Sequence, residues 1–164
     1  MRDWDTTHFM AKIYSQILVP FDGSKYSQRS LDEAIKISKN SGSKLYVVMA
    51  VNPPVLEPPG MFFGMVQGVQ WEKALDEYVD IASERAERIL QETVEYSRKK
   101  GVKANYKVIP DKPGKAILDF VKTNDIDLIV MGSKGLKGIE KVKVLGSVSR
   151  HVLENAICPV LIAH

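Results

Sequence analysis

At 164 residues, 45% of them hydrophobic and 26% charged, the chain has the composition of one globular domain with a sizeable core. A formal net charge of +3 gives no ground for a nucleic-acid partner, the single Cys158 excludes an internal disulfide and suits a reducing compartment, and no apolar run reaches the ~20 residues that span a bilayer. The opening Met1-Arg2-Asp3-Trp4-Asp5 carries acids and no apolar segment, so it does not read as a signal peptide and a cytoplasmic protein is expected.

Residues 1–14 read as an N-terminal extension to a domain over 15–164. Ile17 to Phe21 is a short apolar strand, and Asp22-Gly23-Ser24 turns the chain. From Ser24 to Lys39 the residues Leu31, Ala34, Ile35 and Ser38 recur at helical spacing, with Gly42 as the stop. Leu45 to Val51 is a continuous apolar strand of the kind buried on both faces. Asn52 to Gln70, with Pro53, Pro54, Pro58, Pro59 and glycines at 60, 64 and 68, reads as a long loop carrying an exposed Met61–Val66 cluster. Trp71 to Lys100 reads as one amphipathic helix with Ala74, Tyr78, Ile81, Ala82, Ala86, Ile89, Leu90 and Val94 on its apolar side, ended by Gly101. Val102–Ile109 alternates like a strand near an edge, and Pro113 suits the first turn of a helix running to about Asn124. A strand at Ile126–Met131, a helix at Ser147–Asn155 and a last strand at Pro159–Ala163 complete the chain.

Strands alternating with helices imply right-handed crossovers and a doubly wound α/β sheet with helices on both faces. Ligands of such sheets bind beyond the carboxyl ends of the strands. The ends that qualify are Pro20–Asp22, Val48–Val51 and Met131–Gly135. The last of these opens a glycine-studded loop, Gly132-Ser133-Lys134-Gly135, which returns at Gly146-Ser147 where a helix begins. Glycines allow close backbone approach, and a helix start offers free N–H donors and the Ser147 hydroxyl. Together they have the chemistry of a phosphate cradle.

Three pieces of the chain resemble the universal stress protein family. Ile17–Ser24 resembles its opening ILVPxDGS, Asp127–Ser133 its DLIVMGS, and Gly146–Leu161 its closing GSVSxxVLxxAxCPVLxV. The resemblance covers nearly all of Ile17–Ala163. It implies five parallel strands in the order 3-2-1-4-5 and a homodimer paired through strand 159–163, an edge that otherwise needs covering. It also implies adenine nucleotide binding: ATP, ADP or AMP, with Mg²⁺ for the longer tails. The nucleotide-binding branch carries G-x2-G-x9-G-[S/T]. Here Gly132 and Gly135 supply the first half and Gly146-Ser147 the second, across a gap of ten residues, 136–145, that reads as one residue inserted in a loop.

Each candidate residue carries a plainer alternative. Asp22 either holds a ribose hydroxyl or a phosphate-bound magnesium, or is simply part of a turn and helix cap; the resemblance favours binding. Pro20 and Phe21 border the place of a base. Ala50 stands where the family reads adenine with backbone groups, and Met131 lines the base or closes the core. Gly132, Ser133, Gly135 and Gly146 are a phosphate loop or ordinary turn residues. A side chain at Gly132 is expected to block a phosphate's approach. Ser147 and Ser149 offer hydroxyls and Val148 a backbone N–H, with a helix cap as the alternative for Ser147. Lys134, Lys137, Lys141 and Lys143 are a solvated basic loop or reach outer phosphates. His8, His151 and His164 show no ligand spacing, Cys158 reads as structural, and no Walker motif, G-x-S-x-G elbow or placed base occurs. The expectation is a nucleotide-dependent stress-response switch or sensor with at most slow hydrolysis. The alternative is a dimeric interaction module that binds no ATP.

Overall fold

The structure, a computed structural model, describes residues 13–53, 60–135 and 145–164, the side chains of 60–71 excepted. Its elements are β1 (Gln16–Pro20), α1 (Lys25–Ser41), β2 (Lys44–Ala50), α2 (Gly60–Lys99), β3 (Ala104–Ile109), α3 (Pro113–Thr123), β4 (Leu128–Gly132), α4 (Ser147–Asn155) and β5 (Val160–Ala163). The five strands form one sheet in the order β3-β2-β1-β4-β5, every neighbouring pair parallel.

The strands are apolar throughout because both faces of the sheet are buried, and alternate residues serve opposite layers. Ile17, Val19, Leu45, Val47 and Val130 pack with Leu31, Ala34 and Ile35 of α1 and with Ala86 and Leu90 of α2. Leu18, Val48, Ile129 and Met131 pack on the other side with Ile117, Phe120 and Val121 of α3 and Val152 of α4. The start of β1 is pinned by Asp127, whose carboxylate accepts the Ser15 and Gln16 N–H groups at 2.7 and 3.0 Å. Helix α1 begins at Ser24, whose hydroxyl accepts the Ser27 N–H at 3.1 Å, a cap worth about 1 kcal/mol. It ends where Gly42 turns left-handed at φ 66° and donates to the Ser38 carbonyl.

Two expectations change. Helix α2 starts at Gly60, so Gly60–Gln70 is helical where a loop was expected, and residues 54–59 lie outside the described residues. Proline stops a helix, whereas each interior glycine costs only about 1 kcal/mol, and no proline follows Pro59 before α2 is complete. The Met61–Val66 side chains lie outside the described residues, as do residues 1–12. The expected apolar side of α2 is also only half used. Ala86 and Leu90 are buried, with Ala82, Ile89 and Val94 packed beside them, but Tyr78 and Ile81 are 50% and 61% exposed. At ~1.5 Å per residue the helix is about 60 Å long, far longer than the ~20 Å strand of β3 that it covers. Among the described residues no helix is long and apolar enough to cross a membrane.

Candidate functional site

The strand order reverses between β1 and β4: β2 and β3 lie beyond β1, and β5 beyond β4. At such a switch point the chain leaves neighbouring strands toward opposite faces and opens a crevice at their carboxyl ends. A cleft of about 420 Å³ lies there. From β1 it receives Pro20, Phe21 and Asp22, from β2 Val48 and Ala50, and from β4 and its loop Met131, Gly132, Lys134 and Gly135. Gly146, Ser147, Val148 and Ser149 close it from the start of α4. Ser27, Pro113 and Ile117 line it as well, and none of these three stood out in the sequence. Pro113 was visible only as a helix start; its place on the wall depends on where α3 docks.

The site has an apolar end and a polar end. Phe21, Val48, Pro113, Ile117 and Met131 give a slot for a flat apolar group. Ala50 brings a backbone donor and acceptor to it. The Phe21 N–H donates to the Val48 carbonyl, and the Val51 N–H donates to Ile109 on the far side. By the alternation of a parallel ladder Ala50 therefore faces the β1 side, past the point where β1 has ended at Pro20.

At the polar end the two halves of the glycine motif are held together. The Gly146 N–H donates to the Ser133 carbonyl at 2.8 Å, and Ser149 Oγ donates to the Gly132 carbonyl at 2.8 Å. Helix α4 starts without a side-chain cap and without an acid in its first turn, so its first N–H groups are not consumed locally. The N-terminal turns of α1, through Ser27, and of α3, through Pro113, reach the same cleft and also carry no acid. The starts of three helices thus line one cleft, that of α1 already capped by Ser24. Residues 136–144, and with them Lys137, Lys141 and Lys143, lie outside the described residues.

The glycines are explained by contacts within the protein. A Cβ on Gly132 would lie 2.8 Å from the Tyr26 carbonyl carbon and 3.0 Å from the Ser27 nitrogen. Gly132 therefore lets α1 sit against β4 at a point that also lines the cleft. A Cβ on Gly135 would meet the Asp22 Oδ2 at 2.7 Å, so Gly135 makes room for that carboxylate. Asp22 also accepts the Ser24 N–H through Oδ1 at 3.0 Å, so its turn role is real. Ser133 is the one predicted residue that is not on the wall. It is 2% exposed, its backbone is spent on Ala163 and Gly146, and its hydroxyl has no hydrogen-bond partner.

Asp22 is the only carboxylate and Lys134 the only cation among the described wall residues. No group of three or more His, Cys, Asp or Glu among the described residues is arranged to hold a metal ion unaided. Cys158 lies away from the cleft, its thiol pushed above the ordinary range by burial first and by the nearby Asp127 carboxylate second.

Fold and site together define a doubly wound α/β protein with a ligand-sized cleft at its switch point, apolar at one end and lined by helix N-termini at the other. A sequence profile of the universal stress protein family matches residues 13–164, and the chain belongs to that family. It is 31% identical over 150 residues to universal stress protein MJ0531 of Methanocaldococcus jannaschii, covering 92% of this chain and 82% of that one. Its fold is that of universal stress protein UspA from Lactobacillus plantarum, with a TM-score of 0.79 at 24% identity over 92% of this chain and 98% of that one. A universal stress protein solved in complex with cAMP superposes with a TM-score of 0.61 at 25% identity over 92% and 97% of the two chains. The universal stress protein from Archaeoglobus fulgidus in complex with dAMP does so with a TM-score of 0.56 at 26% identity over 93% and 99%.

Proposed function

We propose that this chain binds an adenine nucleotide in the cleft and acts as a nucleotide-dependent switch or sensor in the stress response. One observation carries the reading: apolar wall residues and the β2 end at Ala50, which faces past the end of β1, share a cleft with the start of α4, where no side chain caps the first N–H groups. Adenine presents the matching acceptor and donor on one edge, and phosphate is the anion that helix N-termini hold. The cAMP and dAMP complexes of two relatives support the same ligand class.

In this reading Pro20, Phe21, Ala50 and Met131 border the base, while Gly132, Gly135, Gly146, Ser147, Val148 and Ser149 surround the phosphate. Ser133 acts from behind the wall, through its backbone. Asp22 binds a ribose hydroxyl or a magnesium ion that enters with ATP, since Mg²⁺ is commonly held by one or two carboxylates plus phosphate oxygens. Bound ATP would supply a transferable phosphoryl group. Asp22, already accepting the Ser24 amide, is the only carboxylate on the described wall, so hydrolysis is at most slow. A cytoplasmic home suits the free thiol of Cys158.

The protein is further proposed to be a homodimer through strand 159–163. β5 is a sheet edge, and Leu153, Ile157 and Leu161 are exposed on and beside it. The reading of a dimeric module without ATP rests on the ten-residue gap between Gly135 and Gly146.

The test is extraction of nucleotide from freshly purified protein by denaturation and chromatography, followed by titration of the emptied protein with Mg·ATP and AMP. Near-stoichiometric adenine nucleotide, or micromolar rebinding, is the expected result. Empty protein that takes up neither ligand would leave the interaction module as the function.

A further inference from the structure

We propose that α2 carries an interface of its own, on which two copies of this chain pair as antiparallel helices centred on Ile81. The inference does not depend on the nucleotide reading.

Helix α2 has two stripes. Ala86, Leu90, Thr93 and Ser97 are buried, and the first two belong to the core beneath the helix. Ala74, Tyr78, Ile81, Arg85, Arg88 and Glu92 recur at alternating spacings of four and three, the seam of a two-helix coil, and all of them are exposed. Tyr78 and Ile81 are the apolar centre of this second stripe, 50% and 61% exposed. Glu77 and Glu84 border it and are exposed as well.

Charge decides what covers the stripe. Glu77 stands four residues before Ile81 and Arg85 four residues after it. In a parallel pair each of these charges would meet its own like. Turned antiparallel about Ile81, Glu77 of each copy faces Arg85 of the other, and the Tyr78 hydroxyl faces the Glu84 carboxylate, to which it can donate. Ile81 then meets Ile81 on the two-fold axis, so the surface is self-complementary, as a contact between identical patches requires. A partner of one charge sign would satisfy either the acids or the arginines but not both. Among the described residues Glu77, Glu84, Arg85 and Arg88 take part in no ion pair, so pairing breaks none. Helix α2 lies over β3, at the edge of the sheet opposite β5, so the contact does not compete with pairing through strand 159–163. A helix pair meeting over about four turns buries less than the ~1,200 Å² of a stable interface, so the contact is weak and fills at high local concentration rather than in dilute solution.

Disulfide trapping reads such a contact directly. In the full chain carrying Cys158→Ala, Ile81→Cys is oxidised with glutathione disulfide at high protein concentration, and the covalent dimer is followed on non-reducing gels. Helix axes ~8–10 Å apart leave facing Cα atoms within disulfide reach. The dimer should form several-fold faster than with Asn40→Cys, an exposed position on α1. Adding Glu77→Arg or Arg85→Glu alone should slow it several-fold, and the two together should restore it. Glu92→Cys lies on the same exposed stripe, but antiparallel pairing holds its two copies ~33 Å apart, so it should trap no faster than Asn40→Cys. An Ile81→Cys rate equal to that control, charge changes without effect, a double change that fails to restore the rate, or fast trapping of Glu92→Cys would each overturn the proposal.

Discussion

Gly132→Ala and Gly135→Ala differ by the same single methyl group and should fail in different ways. At Gly132 the new Cβ would lie 2.8 Å from both the carbonyl carbon and the Cβ of Tyr26, well inside the ~3.5–4.0 Å at which carbon atoms pack favourably. The obstacle is helix backbone, and α1 cannot retreat freely because Leu31, Ala34 and Ile35 hold it in the core. Overpacking of this kind costs about 1–3 kcal/mol. For a domain of this size that is a fall of roughly 2–12 °C in melting temperature, at about 2–4 °C per kcal/mol. At Gly135 the Cβ would meet only the end of the Asp22 side chain, at 2.7 Å, and a carboxylate can rotate away. Gly135→Ala should therefore melt within about 2–4 °C of wild type, a cost below ~1 kcal/mol, yet bind nucleotide more weakly because Asp22 has been displaced. Differential scanning calorimetry of the ligand-free variants, with nucleotide titration alongside, separates the two. A Gly132→Ala protein that melts with wild type would refute the packing account of that glycine.

Asp22→Asn keeps an oxygen for the Ser24 N–H but loses the charge. It should melt near wild type while binding of Mg·ATP falls about ten-fold or more by titration; unchanged binding would reduce Asp22 to a turn residue. Leu161→Glu puts a charge on an exposed apolar position of the β5 edge strand. Sedimentation should then report monomers, and an unchanged sedimentation coefficient would remove β5 from the interface. Because burial and Asp127 raise the Cys158 pKa, less thiolate is present at pH 8 than in a free thiol. Alkylation by iodoacetamide should be slower in the native protein than in the denatured one and should accelerate as pH rises. Equal rates at pH 8 would contradict this.

Much of the fold is local in origin and was legible. Continuous apolar runs such as Leu45–Ala50 announced strands buried on both sides, and Ser24, Gly42 and Pro113 marked helix ends through capping chemistry that acts within a few residues. Two readings of α2 failed. Gly60, Gly64 and Gly68 looked like loop residues, yet the helix runs through them. Tyr78 and Ile81 fit the helical period but stay exposed instead of joining the core.

The site divides in the same way. By itself the sequence determined the elements, their alternation and the chemical groups at the strand ends, because spacing and capping are properties of neighbouring residues. Only the tertiary structure decided which of those groups share a cavity. Asp22, Ala50, Lys134 and Ser147 meet because β1 lies between β2 and β4, a matter of strand order rather than of any local pattern. It also decided the meaning of Gly132 and Ser133. Whether a glycine yields to a ligand or to a helix, and whether a serine faces a cleft or the interior, depends on what the rest of the chain packs against that spot.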